Sequence, residues 1–469
     1  MSKLPILNEL IKYHKEENLI LSMPGNKCGK GFLRDDIGKI FKESLGSLDI
    51  TEVEPLDNLH HPEGIIKEAQ ELLAKAYKVK KAYFLVNGSS SGNLASIFAA
   101  FNEGDEVLVE RNCHKSIYNG LILRKLKPIY INTDFDFENE ILLPCTKENI
   151  KEAYKKSKNP KGIILTSPNY YGVSSDIKDI LLEFKNTGLK IIIDSAHGAH
   201  YSFNKDLPKG LWTIADYTVV SAHKTLPALT QGAYLLVNAQ SDIEFYISTF
   251  NTTSPSYLIM ASLDYARYYL EKYGDKDYKN LLNLSNEFSK KINSLNKVKI
   301  LNQKDLNNKY IIDNSRYILT LPKGHSGGKL LEYLRSEKIQ CEMNFSRGVV
   351  LLLSPFNTKE DFNKIYNAIK KLNIESLSIE EKNIFIEEVS KIKILEPFEV
   401  HNLDFESIEV KDSIGYISKD FIVPYPPGIP LLLPGEKITK EVAQIIDKYK
   451  SLNINVLGVE NENIKIIKE

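Results

Sequence analysis

The sequence predicts an α/β protein built around a mostly parallel β-sheet, and three observations favour this class. From about residue 62 to residue 237, short apolar runs alternate with amphipathic stretches, as they do in successive strand–helix–strand units. One run, 191–193, is apolar and β-branched and ends in an acid, as a buried strand does when it leads into a site. The chain has 469 residues, too many for one compact core, so we expect smaller units beside the sheet.

The elements of the sheet region are predicted in chain order from these patterns. We expect strands at Ala82–Val86, Glu106–Val109, Pro128–Ile131, Gly162–Thr166, Ile191–Asp194 and Tyr217–Val220, and helices at Gly92–Phe101, Ser116–Arg124, Glu148–Lys155 and Ile177–Asn186. Ligands of parallel sheets bind beyond the carboxyl ends of the strands, so we expect the functional residues to lie there.

The rest of the chain is expected to divide around this sheet. Residues 1–60 are turn-rich and predict an arm or lid, 61–300 the large domain, 301–375 a small α/β domain, and 376–469 a C-terminal domain. Beyond the sheet region we expect helices at Leu258–Tyr273, Lys329–Glu337, Lys359–Lys371, Ile379–Ile392 and Lys440–Lys450, strands at Tyr317–Leu321 and Val349–Leu353, and an extended proline cluster at Pro424–Pro430.

The composition excludes several classes of function. Lys+Arg and Asp+Glu both number 61, so no net field would attract nucleic acid or an anionic membrane. No apolar run approaches the ~20 residues of a membrane span, and no signal-peptide core is visible. The four cysteines are scattered without a CxxC pair, which argues against a disulfide framework and a structural zinc site. We expect a cytoplasmic protein.

Two of the predicted strands end in chemically useful residues. One ends in Asp194, and the next is followed by Ser221, His223 and Lys224. Pyridoxal phosphate chemistry needs this set: a lysine for the Schiff base, an acid facing the pyridinium nitrogen, and hydroxyls or amides for the phosphate. The pattern therefore predicts an enzyme that uses this cofactor.

Both central residues also have ordinary explanations. Asp194 could cap the next helix, and a lone lysine is usually a solvated surface charge. Lys224 differs because the uncharged stretch Thr225–Leu229 follows it. Desolvation there would lower the pKa of the amine and make it nucleophilic.

Three consecutive serines offer an anion site. Ser89, Ser90 and Ser91 follow a predicted strand and begin a helix, where backbone amides and hydroxyls can hold a phosphate. A serine-rich turn with a helix cap is the alternative. The sequence contains no GxxxxGK[ST] motif, so nucleotide binding of the P-loop type is not indicated.

Several histidines lie near these residues. His114 follows a strand and could stack on a cofactor ring or act as an acid or base, or it could be a core histidine held by backbone groups. His197 and His200 lie three residues apart, and His60 and His61 are adjacent. No further ligand set has matching spacing, so we expect no metal site.

Six motifs together resemble those of the Orn/Lys/Arg decarboxylase family, bacterial pyridoxal-phosphate enzymes of fold type I. They resemble in particular its short members, which lack an N-terminal receiver-like domain. In chain order the motifs are MPGNK (23–27), DNLHHPEG (57–64), NGSSSGN (87–93), RNCHKS (111–116), SAHKTLPALTQ (221–231), and YPPG (425–428) with LPGE (433–436). The resemblance runs almost from end to end in the order of the family.

The resemblance implies a fold-type-I PLP-dependent transferase-like large domain with a mostly parallel sheet, plus smaller α/β C-terminal domains. It implies that Lys224 forms the Schiff base, that Asp194 pairs with the pyridinium nitrogen and that His114 stacks on the ring. The remaining cofactor-binding residues would be Ser89, Ser90, Ser91, Ser221 and His223 around the phosphate, with Ala196 against the other ring face and His197 beside it. The family also implies a homodimer or larger even oligomer, in which the small domain and the partner complete the site.

The implied activity is α-decarboxylation of a basic L-amino acid (arginine, lysine or ornithine) to the corresponding amine, a reaction of polyamine biosynthesis. The expected partner is this small-molecule substrate, with no nucleic acid and no membrane. Its distal cation would need a carboxylate, and Asp49, Glu52 and Asp57 are the candidates, although each could be a surface or cap residue.

Two alternatives remain open at the level of sequence. One is another fold-type-I reaction, by an aminotransferase or a lyase. A transaminase usually needs an arginine for the substrate carboxylate, for which Arg316, Arg335 and Arg347 are candidates. The other is a cofactor-binding paralogue without turnover.

Three positions depart from the family pattern. Asn26 replaces the usual histidine of the first motif, Ser195 stands where glutamate is common, and Phe345 stands where aspartate is common. Asn26 and Phe345 could alter the substrate pocket, and the sequence leaves this open.

Overall fold

The computed structural model of the chain describes residues 4–379, 391–425, 430–451 and 455–468. The predicted helix Ile379–Ile392 lies almost entirely outside the described residues, as do residues 426–429 of the proline cluster. Within the described residues, no helix is both long and apolar enough to cross a membrane.

A seven-stranded sheet forms the centre of the fold and confirms the predicted α/β class. Its strands, in spatial order, are Lys81–Leu85, Ala233–Val237, Tyr217–Val220, Lys190–Asp194, Pro160–Thr166, Glu106–Glu110 and Lys127–Ile131. All run parallel except Ala233–Val237, which pairs antiparallel with both neighbours. All six predicted strands are present, whereas the antiparallel strand was not predicted.

The helices of this region pack on the sheet. They are Ile65–Tyr77, Gly88–Ala100, Lys115–Leu123, Lys147–Lys156, Lys178–Asn186, Ala222–Thr225 and Ile243–Phe250. The helix Gly88–Ala100 begins four residues before its predicted start, because the serines belong to its first turn rather than to the preceding loop. The Ser91 hydroxyl donates to the Gly88 carbonyl at 2.8 Å within that turn.

The strand register places the site. Thr166 pairs with Asp194, and Asp194 in turn pairs with Val219 on the next strand. The strands Lys190–Asp194 and Tyr217–Val220 are buried almost throughout, so side chains at their carboxyl ends enter a region of low polarity. Asp194 and the turn that carries Lys224 therefore meet at one edge of the sheet.

A second sheet, four-stranded and antiparallel, follows in the chain. Its strands in spatial order are Lys299–Ile300, Arg316–Thr320, Gly348–Leu352 and Met343–Phe345, with helices Gly327–Ser336 and Lys359–Lys371. The connection from the first sheet is helical: Tyr257–Tyr269, a π-helical turn Leu270–Gly274, and Asp275–Asn293. The predicted helix Leu258–Tyr273 is thus the first half of a longer helical stretch.

Short elements join these parts. The N-terminal segment contains helices Pro5–Lys15 and Asp36–Glu43 and the strand Leu19–Leu21, which pairs in parallel with Ile339–Cys341. Two further pairs are antiparallel, Val173–Ser175 with Tyr310–Ile312 and Phe135–Asp136 with Ile141–Leu142. The N-terminal arm is therefore attached to the smaller sheet region by backbone hydrogen bonds.

The C-terminal part has its own small core. Its strands are Phe405–Glu409, Asn463–Ile467 and Val459–Glu460 in one sheet and Val423–Tyr425 with Asn455–Leu457 in another, and its helices are Pro397–His401 and Lys440–Ser451. The helix Lys440–Ser451 confirms the prediction and buries Val442, Ile445 and Ile446.

A buried ion pair ties this C-terminal part to the large sheet. Both nitrogens of the Arg111 fork donate to the Glu436 carboxylate, at 2.6 and 2.7 Å, and the two side chains are only 3% and 2% exposed. Glu436 also accepts the backbone N–H of Leu433. The arginine of RNCHKS and the glutamate of LPGE are thus one contact between sequence-distant motifs.

Replacing Glu436 by glutamine should destabilise the protein by about 3 kcal/mol, because the Arg111 charge is left buried without its partner. Urea denaturation of the full chain measures this loss. The matched control is Glu409→Gln, which removes a solvent-exposed pair with Lys411 (51% and 68% exposed) and should cost less than about 1 kcal/mol. Equal losses in the two variants would contradict a structural role for the buried pair.

Candidate active site

A cavity of about 610 Å³ lies at the carboxyl edge of the seven-stranded sheet. Of the predicted site residues it is lined by Ser89, Ser90, His114, Asp194, Ala196, His197, Ser221, His223 and Lys224. A larger cavity of about 1030 Å³, lined in part by Lys78, Ser175 and Trp212, shares no lining residue with it. The smaller cavity is therefore the one lined by the residues that the sequence predicted to be catalytic or cofactor-binding.

Lys224 lies on the short helix Ala222–Thr225, directly after the strand Tyr217–Val220. The N-terminal arm closes over this turn, because Gly25 donates its N–H to the His223 carbonyl at 2.7 Å. A side chain at Gly25 would place its Cβ 2.6 Å from the Leu226 nitrogen, so only glycine permits this approach. Burial lowers the pKa of the Lys224 amine, and the nearby Asp194 carboxylate partly opposes that shift.

The Lys224 amine contacts a buried histidine. Its Nζ lies 3.0 Å from Nε2 of His197, whose ring also packs at 4.6 Å against that of Tyr170. Burial, reinforced by the positive charges of Lys224 and Arg316, holds the pKa of His197 well below its usual value. His197 is therefore a neutral imidazole in the folded protein.

Asp194 is buried and held from two sides. Its Oδ2 accepts from Nδ2 of Asn93 at 3.0 Å, and its Oδ1 accepts from the Ala196 N–H at 3.1 Å. Asn93 Nδ2 also donates to the Ser116 hydroxyl at 2.9 Å. These bonds fix the carboxylate at the cavity wall, where it can stabilise a positive charge placed beside it.

The first turn of the helix Gly88–Ala100 forms an anion cradle. Gly88 has a positive φ of 76°, a conformation that turns the chain from the strand into the helix and favours glycine. The Ser89 and Ser221 hydroxyls approach to 2.5 Å, so hydroxyls from two strand ends meet beside the free N–H groups of the helix. Ser91 differs from the prediction: its hydroxyl bonds to Gly88 O and is not among the groups that line the cavity.

His114 lies at the exposed rim of the cavity and caps the helix Lys115–Leu123. Its Nδ1 accepts the Ser116 N–H at 3.2 Å and lies 2.8 Å from the Ser116 hydroxyl. Partial burial lowers its pKa, although the Asp194 charge acts in the opposite direction. His223 instead donates from Nδ1 to the Gly232 carbonyl at 3.0 Å, since a carbonyl can only accept.

The residues of this cavity fit pyridoxal phosphate. A desolvated amine, a fixed buried carboxylate and a helix N-terminus with hydroxyls meet in one space, which is the donor set that the aldehyde, the ring nitrogen and the phosphate require. The Thr166 hydroxyl and the Asn93 carbonyl oxygen are buried there without a protein partner and can serve a bound polar ligand.

Comparison with known proteins decides the family. The model of the Orn/Lys/Arg decarboxylase major domain matches residues 4–322, and that of the Orn/Lys/Arg decarboxylase C-terminal domain matches residues 398–455. The chain belongs to the Orn/Lys/Arg decarboxylase family. It is a pyridoxal-phosphate-dependent decarboxylase, as the motifs indicated.

Individual relatives cover nearly the whole chain. The chain is 34% identical to the uncharacterized protein YaaO of Bacillus subtilis, over 98% of this chain and 96% of that protein. It is 29% identical to the arginine decarboxylase of the same organism, over 99% of this chain and 98% of that protein. The solved Francisella novicida lysine decarboxylase LdcF has the same fold, with a TM-score of 0.78 at 20% identity over 99% of this chain and 81% of that one.

Two of the residues that depart from the family pattern, Asn26 and Phe345, do not line the cavity. Phe345 is fully buried and packs edge-on against Tyr171, and it does not line the cavity. Asn26 is also buried and uses its amide locally, donating to Ala228 O and accepting from Gly29 N. Both residues serve packing, because neither side chain points into the cavity.

The three predicted acids for the substrate cation also lie elsewhere. Asp57 accepts backbone N–H groups of residues 58, 63, 64 and 66 and thereby organises its own loop. Asp49 and Glu52 are likewise outside the cavity lining. None of the three acids therefore faces the cavity of its own chain.

None of the three candidate arginines lines the cavity, so none is placed there to bind a substrate carboxylate. Arg335 is exposed on the helix Gly327–Ser336. Arg347 donates to Leu321 O and pairs with Glu140. Arg316 is buried and uses its donors within the protein, so the described cavity lacks the arginine that a transaminase usually needs.

Sequence reasoning missed the residues that support the predicted ones. Asn93 and Ser116 were quoted in motifs without a role, although Asn93 follows Ser89 by four residues and so shares its helix face. Tyr170 and Glu342 come from loops and from the second sheet region, and no local pattern connects them with Lys224.

The buried His197 should make stability depend on pH. The unfolded chain binds a proton at His197 near pH 6.5 but the folded chain does not, so stability falls as the pH drops below that value, by about 1.4 kcal/mol per pH unit. Urea denaturation of the full apoprotein from about pH 5 to about pH 7.5 measures this slope. His197→Gln should lower the slope of stability against pH by about 1.4 kcal/mol per pH unit. The control His61→Gln, at a side chain 84% exposed, should leave the slope unchanged. An unaltered slope in His197→Gln would contradict the neutral imidazole.

Proposed function

We propose that this protein decarboxylates L-arginine, with Lys224 as the lysine that holds the cofactor. The observation that carries the proposal is the convergence of Lys224, Asp194 and the serine cradle in one cavity. The choice of arginine is supported by the match to an arginine decarboxylase along almost the full length of both chains. Lysine and ornithine are the other substrates of the family name.

Each residue has a defined task in this proposal. When bound, the cofactor supplies an electron sink for the bond broken at the substrate Cα. Asp194 would keep the ring nitrogen protonated, and His114 and Ala196 would contact opposite faces of the ring. Ser89, Ser90, Ser221 and His223 would hold the phosphate, with Ser91 contributing its backbone rather than its hydroxyl. After carbon dioxide leaves, the protonated form of Lys224 or a neighbouring group would return a proton to Cα.

Glu342 is the carboxylate that we assign to the substrate cation. It accepts the hydroxyl of Tyr170 and the backbone N–H of Met23, and both of those residues line the cavity. Its charge also acts on the Lys224 amine, so it lies within electrostatic reach of the reacting centre. Glu342 does not itself line the cavity but lies half-buried behind Tyr170 and Met23, from where its carboxylate would attract a guanidinium or ammonium group of the substrate.

A second copy of the chain is part of the proposal. The helix Pro5–Lys15 has no buried residue and exposes Ile6, Leu7 and Leu10. It leads into the strand Leu19–Leu21 and on to Met23 at the cavity, so a homodimer partner on this face would lie beside the site. The free state of all four cysteines supports a reducing, cytoplasmic location, and the amine product supports a role in polyamine biosynthesis.

The predicted division into four parts is retained in the proposal. The large sheet lies within 81–237, the antiparallel sheet within 299–352 and the C-terminal strands within 405–467. These positions support the proposed domains 61–300, 301–375 and 376–469, preceded by the arm 1–60.

The purified, cofactor-loaded protein should release carbon dioxide from arginine, and Lys224→Ala should abolish the release because no other lysine lines the cavity among the described residues. Arginine, lysine and ornithine are supplied separately and carbon dioxide is measured. Lys151→Ala, at an exposed helical lysine, is the matched control and should retain full activity. Release from lysine or ornithine alone would overturn the arginine assignment, and release from none would overturn the decarboxylase reaction for these substrates.

The same assay tests whether Glu342 binds the substrate cation. Glu342→Gln should raise the KM for arginine about tenfold or more, because a hydrogen bond to a charged group is lost. Glu332→Gln, an exposed acid on the helix Gly327–Ser336, should leave the KM unchanged. An unchanged KM in Glu342→Gln would assign the substrate cation to another group.

A further inference from the structure

We propose that Arg316 is a positioning residue: it fixes the ring hydrogen of His197 on Nε2, so that His197 donates to Lys224 and selects the neutral form of its amine. The inference rests on Lys224 being the cofactor lysine, as proposed above. It adds a role for a residue of the second sheet region, at the start of the strand Arg316–Thr320.

Arg316 is held rigidly before it reaches His197. Its side chain is 2% exposed, and its Nε faces the buried Asp313 carboxylate at 3.4 Å. One terminal nitrogen donates to the His197 carbonyl at 2.5 Å, and the other donates to the Tyr170 carbonyl at 3.1 Å. Three acceptors therefore fix the plane of the guanidinium group.

This placement dictates the hydrogen position on the imidazole. The nitrogen of Arg316 that bonds to Tyr170 also lies 3.3 Å from Nδ1 of His197. An arginine can only donate, so Nδ1 of His197 must accept. In a neutral imidazole the hydrogen then sits on the other nitrogen, Nε2.

The same logic extends to the lysine. Nε2 of His197 lies 3.0 Å from Nζ of Lys224, and its N–H can donate only to a nitrogen that has a lone pair. An ammonium group has none, so the contact selects the neutral amine. The lowered pKa values of both Lys224 and His197 agree with this assignment.

The other charged groups around the amine are divided in their effect. The carboxylates of Asp194 and Glu342 favour the ammonium form of Lys224, while burial and the positive charge of Arg316 oppose it. On the His197 side, burial and the charge of Arg316 disfavour a second ring proton, and so do Lys224, His114 and His223 whenever they are protonated. Arg316 sets the direction of the hydrogen bond between His197 and Lys224. This direction favours the neutral forms of both groups, which burial favours as well.

A free amine is what cofactor capture requires. The Lys224 lone pair attacks the aldehyde carbon of pyridoxal phosphate, a carbon–nitrogen double bond forms, and the aldehyde oxygen leaves as water with the two amine hydrogens. An ammonium group must first lose a proton. Because Arg316 belongs to the second sheet region and Lys224 to the first, the reactive amine depends on the packing of the two.

The experiment measures cofactor capture by the full-length apoprotein as a function of pH, from the rate at which the visible absorption of the bound cofactor appears. Arg316→Met and Arg316→Lys are compared, since methionine removes the charge and the donor, whereas lysine keeps both on a side chain that extends as far as the guanidinium carbon. We expect the apparent pKa of the amine to be at least one unit higher in the Met variant than in the Lys variant, which corresponds to about tenfold slower capture near neutral pH.

The control repeats the comparison in a His197→Phe background, where the difference between Met and Lys should shrink to the part that the charge alone causes. Equal apparent pKa values in the two single variants, or a difference of the same size without His197, would overturn the proposal. Circular dichroism checks the fold, and Arg316→Leu replaces the Met variant if that protein does not fold. If the wild type itself captures no cofactor, the proposed function fails instead of this inference.

Discussion

The pairing of buried polar groups at one edge of an apolar sheet is the constraint that shapes the rest of the molecule. An amine and a carboxylate taken out of water are tolerated only where other groups satisfy them. Asp194 is therefore held by Asn93 and by a backbone N–H, and Lys224 is held by His197. These partners are buried in turn and need partners of their own, which extends the network to Ser116 and Arg316. A reactive pair at the centre thus dictates residue identities two contacts away.

The same constraint explains why motifs that lie far apart in the sequence contact one another in the fold. The glycine of MPGNK bonds to the backbone beside Lys224, and the residue that opens this motif bonds to Glu342 on the second sheet region. Arg111 of RNCHKS reaches Glu436 of LPGE and seals the C-terminal part against the large sheet. Met23 of the arm and Met343 of the second sheet region line the cavity, so both parts contribute to the environment of Lys224.

Local patterns predicted the central strands and the residues at their ends, because each strand is an uninterrupted apolar run and its last residue falls at the sheet edge. The strand Ala233–Val237 was not predicted. Its antiparallel direction could not have been predicted from local sequence either, because an apolar run does not reveal the direction of a strand. The sequence left open whether Phe345 and Asn26 alter the pocket, and packing turns both side chains into the interior. The roles of Arg316 and Glu342 could not be predicted, since they arise only when the second sheet region packs against the first.

The most direct test of this account traps the cofactor on the chain. The holoprotein is reduced with borohydride, digested, and its peptides are mapped by mass spectrometry. The account predicts one stoichiometric label on Lys224. The informative comparison is Lys27, another buried lysine whose pKa burial lowers to about 7, but whose amine donates to the backbone carbonyls of Ser22 and Leu352. Label on Lys27, or spread over several lysines, would contradict the claim that the network around His197 selects Lys224.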